Sequence, residues 1–256
     1  MHRFHVRPED VCGDILTLTG VEAHHATRVL RVREGERVVV LDGAGSELCC
    51  EIAASTNKSV VLKVIDRKKI PPPPCPITLV QAIPKGKIIE SIIQKATELG
   101  ASRIVPILSE RVVTHLDSES TEAKGEKWQQ IAVEAIKQCG QPWLPKVEAP
   151  LSLKKFLARH ESFDLPLVGC LEAGSRHPRE WFDQFFREKH RAPRSICLWV
   201  GPEGDFTPAE YDAIRRSGAL PITLGPLVLR VETAATYCLS VASYELQAQR
   251  SAESAR

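Results

Sequence analysis

Residues 71–76 read Pro-Pro-Pro-Pro-Cys-Pro. Five prolines in six positions remove backbone donors that helices and sheet interiors need, so the segment is a stiff extended spacer. It separates residues 1–70 from residues 77–256, and the two sides carry different patterns. Before it, half-polar β-branched runs lie at 37–42, 46–53 and 60–65, with Gly43-Ala44-Gly45 as a hairpin-like turn. One helix is predicted at about 20–31, with Val21, His25, Val29 and Leu30 on one face. Short strands and one helix in 70 residues point to a small β-barrel.

Beyond the spacer the strands are apolar and alternate with helices. Ile77–Ala82 reads as a buried strand, and 87–99 as a helix with Ile88, Ile89, Ile92, Ile93, Ala96 and Leu99 inward. Gly100 stops it, and Arg103–Leu108 is the next strand. Helices follow at about 127–139 and 178–189, with strands at 165–171 and 195–200. That order implies an α/β domain whose parallel sheet is covered on both faces.

A composition of 43% hydrophobic and 26% charged residues excludes a disordered or fibrous chain. No apolar run reaches the ~18–20 residues that span a bilayer, and Pro84, Lys85 and Gly86 break the best candidate. The opening Met1-His2-Arg3-Phe4-His5 is no secretory signal, so a cytoplasmic protein without membrane partner is expected. Eight cysteines form no Cys-x-x-Cys pair, which fits reduced, mostly buried thiols and no metal site. The adjacent His24 and His25 point apart on a helix and have no third ligand. Charge is balanced on both sides of the spacer: 11 basic against 10 acidic residues up to Ile70, and 23 against 22 beyond it. Bulk charge therefore gives no hint of a nucleic-acid partner.

Local signals carry more. The run Leu198-Trp199-Val200-Gly201-Pro202-Glu203-Gly204 takes an apolar strand into a glycine-bounded loop. Thr207, Pro208 and Glu210 then have the spacing of a capped helix start. Glycines there let backbone approach a ligand at the carboxyl end of a parallel strand. It is no phosphate loop, because no Gly-Lys-Ser/Thr follows and Glu203 repels phosphate. Nor is Ala82-Ile83-Pro84-Lys85-Gly86-Lys87 a Rossmann fingerprint. A second strand ends at Leu224 and a Gly225-Pro226 loop leads into a long helix reaching about Gln249. Arg230 sits at the positive end of that helix, where a cation is locally unfavourable. It either pairs with Glu232 or awaits an anionic partner. Lys95 and Glu98 share a helical face, and Arg28 and Arg31 offer phosphate contacts in the first domain.

These segments together resemble the bacterial 16S ribosomal RNA uridine-N3 methyltransferases of the SPOUT superfamily. The resemblance rests on Val-Gly-Pro-Glu-Gly at 200–204 and Leu-Gly-Pro-Leu-Val-Leu-Arg-Val-Glu-Thr-Ala at 224–234. It extends through 92–100, Ser-Glu-Arg-Val-Val at 109–113, Gln-Cys-Gly at 138–140, His24-His25 with Val29-Leu30-Arg31, and Leu41-Asp42-Gly43-Ala44-Gly45. Asp205 stands where that family usually has a second glycine, and Leu227 where it often has arginine. The resemblance implies a PUA-like RNA-binding barrel over 1–70 and a methyltransferase domain with a trefoil knot over 77–256. It implies S-adenosylmethionine as methyl donor, 16S ribosomal RNA or the small subunit as substrate, and an obligate homodimer. The homodimer is also suggested by an apolar stripe of Val231, Ala235, Cys238, Leu239, Ala242 and Leu246. The donor would be held by Leu171, Val200, Gly201, Glu203, Gly204, Leu224, Gly225, Leu229, Arg230, Thr233 and Ala234. Arg230 would stabilise the ionised uridine, with Glu98, or else Glu203, as base and Lys95 orienting it. Arg28, Arg31 and Arg111 would contact RNA. A ribose 2′-O methyltransferase with the same loops, or an RNA-binding protein without catalysis, remain the alternatives.

Overall fold

The computed structural model describes residues 1–111, 118–172 and 174–254, and side chains outside 118–120 and 249–254. The Val112-Val113 end of the 109–113 motif lies outside the described residues. The chain packs as two units. Met1–Pro72 goes with Val133–Leu144, and Pro73–Ala132 goes with Pro145–Arg256.

The first unit contains β1 (Arg3–His5), β2 (Ile15–Leu18), α1 (Gly20–His24), β3 (Arg37–Leu41), β4 (Ser46–Ser55) and β5 (Val60–Lys69). Its sheet runs β1-β3-β4-β5-β2, with β1 parallel to β3 and the other pairs antiparallel. Register shifts at Cys49/Cys50 and Ile52/Ala54 bend β4 and curl the sheet into a half-barrel around Phe4, Leu16, Leu18, Val38, Val40, Leu48 and Leu62.

The helix expected at 20–31 is present, but its inward face differs. After α1 the chain continues as a π-helical segment, His25–Leu30, which ends at Arg31 in the left-handed region (φ 54°). The wider turn moves the phase of a 3.6-residue stripe. Ala23 and Ala26 face the core, while Val21 and Val29 are 72% and 61% exposed.

Residues 133–144, which the sequence reading gives to the second domain, pack with the first unit. The backbone explains it. Asp42 Oδ1 accepts from Ala44 N (2.8 Å) and Ser46 N (2.7 Å), which shapes a tight loop between β3 and β4. Gly45 N donates to Pro142 O (3.0 Å), Leu144 N donates to Gly43 O (2.9 Å), and Trp143 Nε1 donates to Pro71 O (3.1 Å). Only glycines leave room for this clasp.

The second unit contains β6 (Ile77–Ala82), α2 (Ile88–Glu98), β7 (Arg103–Leu108), α3 (Ser118–Cys139, shared with the first unit from Val133), β8 (Lys146–Val147), β9 (Leu151–Ser152) and α4 (Leu153–Leu157). It continues with β10 (Leu165–Gly169), α5 (Pro178–Lys189), β11 (Ile196–Val200), α6 (Pro208–Arg216), β12 (Leu220–Ile222) and α7 (Val231–Ser254). The sheet order is β12-β10-β11-β6-β7-β8, with β9 also on β7, and every pair is parallel. Central strands β6 and β11 are buried at every residue, as burial on both faces requires. One face packs Val80, Val105, Val168 and Trp199 against Phe156 of α4 and Tyr211 and Ile214 of α6. The other is covered by α2 and α7. Helix α3 starts well before the expected residue 127, because its first turns are polar and lack an apolar stripe. Its Gly125 lets Ala149 approach, since a Cβ there would lie 3.1 Å from the Ala149 Cα.

The apolar stripe of α7 is no free face. Val231, Ala235, Cys238, Leu239 and Ala242 are buried within their own unit. All eight cysteines are free thiols, five of them buried, and burial pushes the Cys50 thiol up to about 11 and that of Cys238 up to about 12. Among the described residues, no helix is long and apolar enough to cross a membrane.

Candidate active site

Strands β12, β10 and β11 are neighbours in the sheet and point the same way, so the loops at their carboxyl ends converge. They enclose a cavity of about 470 Å³. Gly169, Cys170 and Leu171 follow β10, and the loop after β11 contributes Gly201, Pro202, Glu203 and Asp205. The loop after β12 contributes Leu224, Gly225 and Leu227 through Glu232, with Ala234 in the first turn of α7 and Ile88 from α2. Gly225 is in a conformation (φ 106°) that side chains rarely adopt.

The loop after β11 is held from several sides. Thr207 Oγ1 accepts from Glu210 N (3.3 Å), and Glu210 Oε2 accepts from Thr207 N (2.9 Å), the reciprocal cap the spacing predicts. The buried Glu210 also accepts from Glu110 N through Oε1 (2.8 Å). Glu203 Oε1 accepts from Lys85 N (2.9 Å), and Arg111 Nη1 donates to Gly204 O. Asp205 takes the left-handed conformation (φ 60°) that explains a glycine preference there. Aspartate is tolerated because its Oδ1 accepts from Phe206 N (2.9 Å).

Of the residues singled out in the sequence as donor contacts, all but Gly204 and Thr233 line the cavity. Lys95 and Glu98 do not. They form an ion pair on α2 (Nζ to Oε2 2.9 Å), and at ~1.5 Å per residue they lie ~10–15 Å along the helix from the cavity-lining Ile88. Helical periodicity places them on one face but cannot say which end of the helix meets the sheet's carboxyl edge. Arg111 is exposed, and its Nη1 donates to Gly204 O of the loop after β11. Arg28 and Arg31 are exposed on the first unit.

Sequence reasoning missed Gly169, Cys170, Asp205, Val228 and Glu232 as cavity walls. Strand pairing, which no local motif encodes, brings the first two there. Arg230 and Glu232 both line the cavity, yet among the described residues no ion pair joins them and neither side chain has a partner. The guanidinium is therefore available to an anion. Leu171, Leu227 and Val228 form an apolar rim, the last two 72% and 79% exposed. Among the described residues no cluster of three or more His, Cys, Asp or Glu could hold a metal.

The chain's likenesses agree with this architecture. Residues 71–243 match the family described as RNA methyltransferase domain, and residues 18–65 match the RNA methyltransferase PUA domain. Ribosomal RNA small subunit methyltransferase E of Bacillus subtilis is 32% identical over 238 residues, covering 91% of each chain. The Synechocystis protein of that name is 32% identical, covering 93% of this chain and 76% of its own. Among solved structures, a methyltransferase from Legionella pneumophila with SAM bound superposes at a TM-score of 0.83, at 31% identity over 94% of this chain and 96% of that one. Ribosomal RNA small subunit methyltransferase E from Neisseria gonorrhoeae, bound to S-adenosyl methionine, gives 0.81 at 26% identity over the same shares. With its half-barrel, its parallel sheet and these matches, the chain belongs to the ribosomal RNA small subunit methyltransferase E family of RNA methyltransferases.

Proposed function

We propose that this protein transfers a methyl group from S-adenosylmethionine to N3 of a specific uridine in 16S ribosomal RNA of the small subunit. The observation that carries the reading is the cavity, where three loops converge beside an arginine that has no side-chain partner among the described residues. Its volume lies in the ~300–1,000 Å³ range of sites that bury a small organic ligand. The walls suit the donor's chemistry. Leu171, Leu224, Leu229 and Ala234 offer apolar surface to a flat base. Gly201 and Gly225 bare backbone groups to ribose hydroxyls, and Glu203 offers charge to the ammonium or sulfonium.

Bound there, S-adenosylmethionine supplies an activated methyl group. The protein aligns the uridine and removes its N3 proton. Because N3–H lies on the Watson–Crick edge, the base must be unpaired or turned out of its helix. Arg230 stabilises the negative charge left on the ring oxygens. Glu203 is engaged by Lys85 N and Asp205 by Phe206 N, which leaves Glu232 as the cavity carboxylate free to take the proton. Arg28 and Arg31 hold RNA phosphate through the PUA unit. The trefoil knot, a cytoplasmic location and a homodimer belong to the same reading, and the exposed rim of Leu171, Leu227 and Val228 supports a second copy. Calorimetry on the full chain is expected to give a micromolar dissociation constant for S-adenosylmethionine, ~−8 kcal/mol. Absence of binding by the folded protein would refute the donor assignment.

A further inference from the structure

Tyr211 lies on α6, is 7% exposed and does not line the cavity, yet it touches two of its walls. Its hydroxyl donates to Gly169 O at 2.6 Å and reaches Asp205 Oδ1 at 3.0 Å and Oδ2 at 3.2 Å. One phenolic proton is thus divided between the end of β10 and the loop after β11. Burial, with the Asp205 charge adding to it, pushes the phenol well above its ordinary range, so it remains a donor. The Tyr211 ring meets Phe206 edge-on at 5.5 Å, and Phe206 N donates to the same Asp205 oxygen. The loop folds back tightly here, since a Cβ on Gly201 would fall 2.7 Å from Asp205 Oδ1. Gly169, Gly201 and Asp205 are all cavity residues.

We propose that Tyr211 is a positioning residue for the donor site, tying the β10 and β11 loops together through Gly169 and Asp205 and fixing the cavity's width before a ligand enters. The proposal rests on the donor reading above, but the tie can be tested without it. In the full chain, Tyr211→Phe keeps the ring packing and removes the tie. Amide exchange in the ligand-free protein is then expected to quicken at residues 201–206 and 170–172, while the β10–β11 ladder stays protected. The dissociation constant for S-adenosylmethionine is expected to rise about tenfold, with turnover at saturating donor within about twofold of wild type. Asp205→Gly, which suits the left-handed turn but cannot receive the phenol, is expected to weaken the donor similarly. The double variant should lose no more than either single one. Unchanged exchange in Tyr211→Phe overturns the proposal, as do additive losses in the double variant or a fall in turnover without a change in donor affinity. Wild-type protein that fails to bind S-adenosylmethionine refutes the donor reading instead, and the exchange result still decides the tie.

Discussion

Arg230→Ala is expected to slow methyl transfer by ~10²–10³ while the dissociation constant for S-adenosylmethionine stays within a few-fold of wild type. The reason is where the charge develops. Uridine N3 is protonated at neutral pH, and its ring oxygens become anionic only as that proton leaves. Among the described residues the Arg230 side chain has no partner, so it is not drawn away by Glu232 and is available to that charge. In the proposed reading the donor, by contrast, is held mainly by backbone groups and apolar walls. Raising the pH should partly restore the variant, because more uridine is already ionised. Arg230→Lys should restore little, since a point charge lacks the planar fork that spans two acceptors. Single-turnover kinetics on saturated complexes, beside a thermal melt, check this. A variant that reacts at the wild-type rate and merely melts lower assigns Arg230 a structural role.

The largest stability effect is expected at Gly45→Ala in the first unit. A Cβ there would sit 2.5 Å from Trp143 Cζ2 and 2.6 Å from the Ile70 carbonyl oxygen, at φ 90°. The carbonyl is backbone and cannot swing aside. Overpacking of this kind costs ~1–3 kcal/mol and left-handed strain adds ~1–2 kcal/mol, so a loss of ~2–5 kcal/mol is expected in urea denaturation. Gly35→Ala separates the two causes: its φ is 81°, but nothing lies within 4 Å of the added carbon. It should lose only the strain. Equal losses in the two variants would mean that the clasp of 142–144 on Gly43 and Gly45 contributes nothing.

The proline spacer and the two hydrophobic periods on either side of it make both architectures legible in the chain. Strands β6, β7, β10 and β11 announce themselves because burial on both faces demands predominantly apolar runs. The glycine loops after Val200 and Leu224 are legible for a local reason, since close backbone approach needs glycine wherever the strand ends up. Three features are not legible. The clasp of residues 133–144 on the half-barrel depends on a contact some hundred residues distant in sequence, and Gly43 and Gly45 alone do not name Trp143 as its partner. The π-helical segment at His25–Leu30 breaks the 3.6-residue period by which Val21 and Val29 look inward. Lys95 and Glu98 are chemically apt for proton transfer but do not line the cavity of this chain, because residue type and helical face say nothing of distance from the sheet's carboxyl edge. Asp205 and Glu232 are the reverse case, visible in the sequence as carboxylates and placed at the cavity only by the folded loops.

The most direct measurement is the chemical identity of the product. Small-subunit ribosomal RNA from cells without this activity, unmethylated at the target, is incubated with the full chain and S-adenosylmethionine carrying an isotopically labelled methyl group. The RNA is then digested and its nucleosides resolved by mass spectrometry. Label is expected in N3-methyluridine, at about one methyl group per RNA, and is expected to accumulate ~10²–10³-fold more slowly with Arg230→Ala. Label in a 2′-O-methylated ribose, or unlabelled RNA from protein that demonstrably binds the donor, would contradict the assignment.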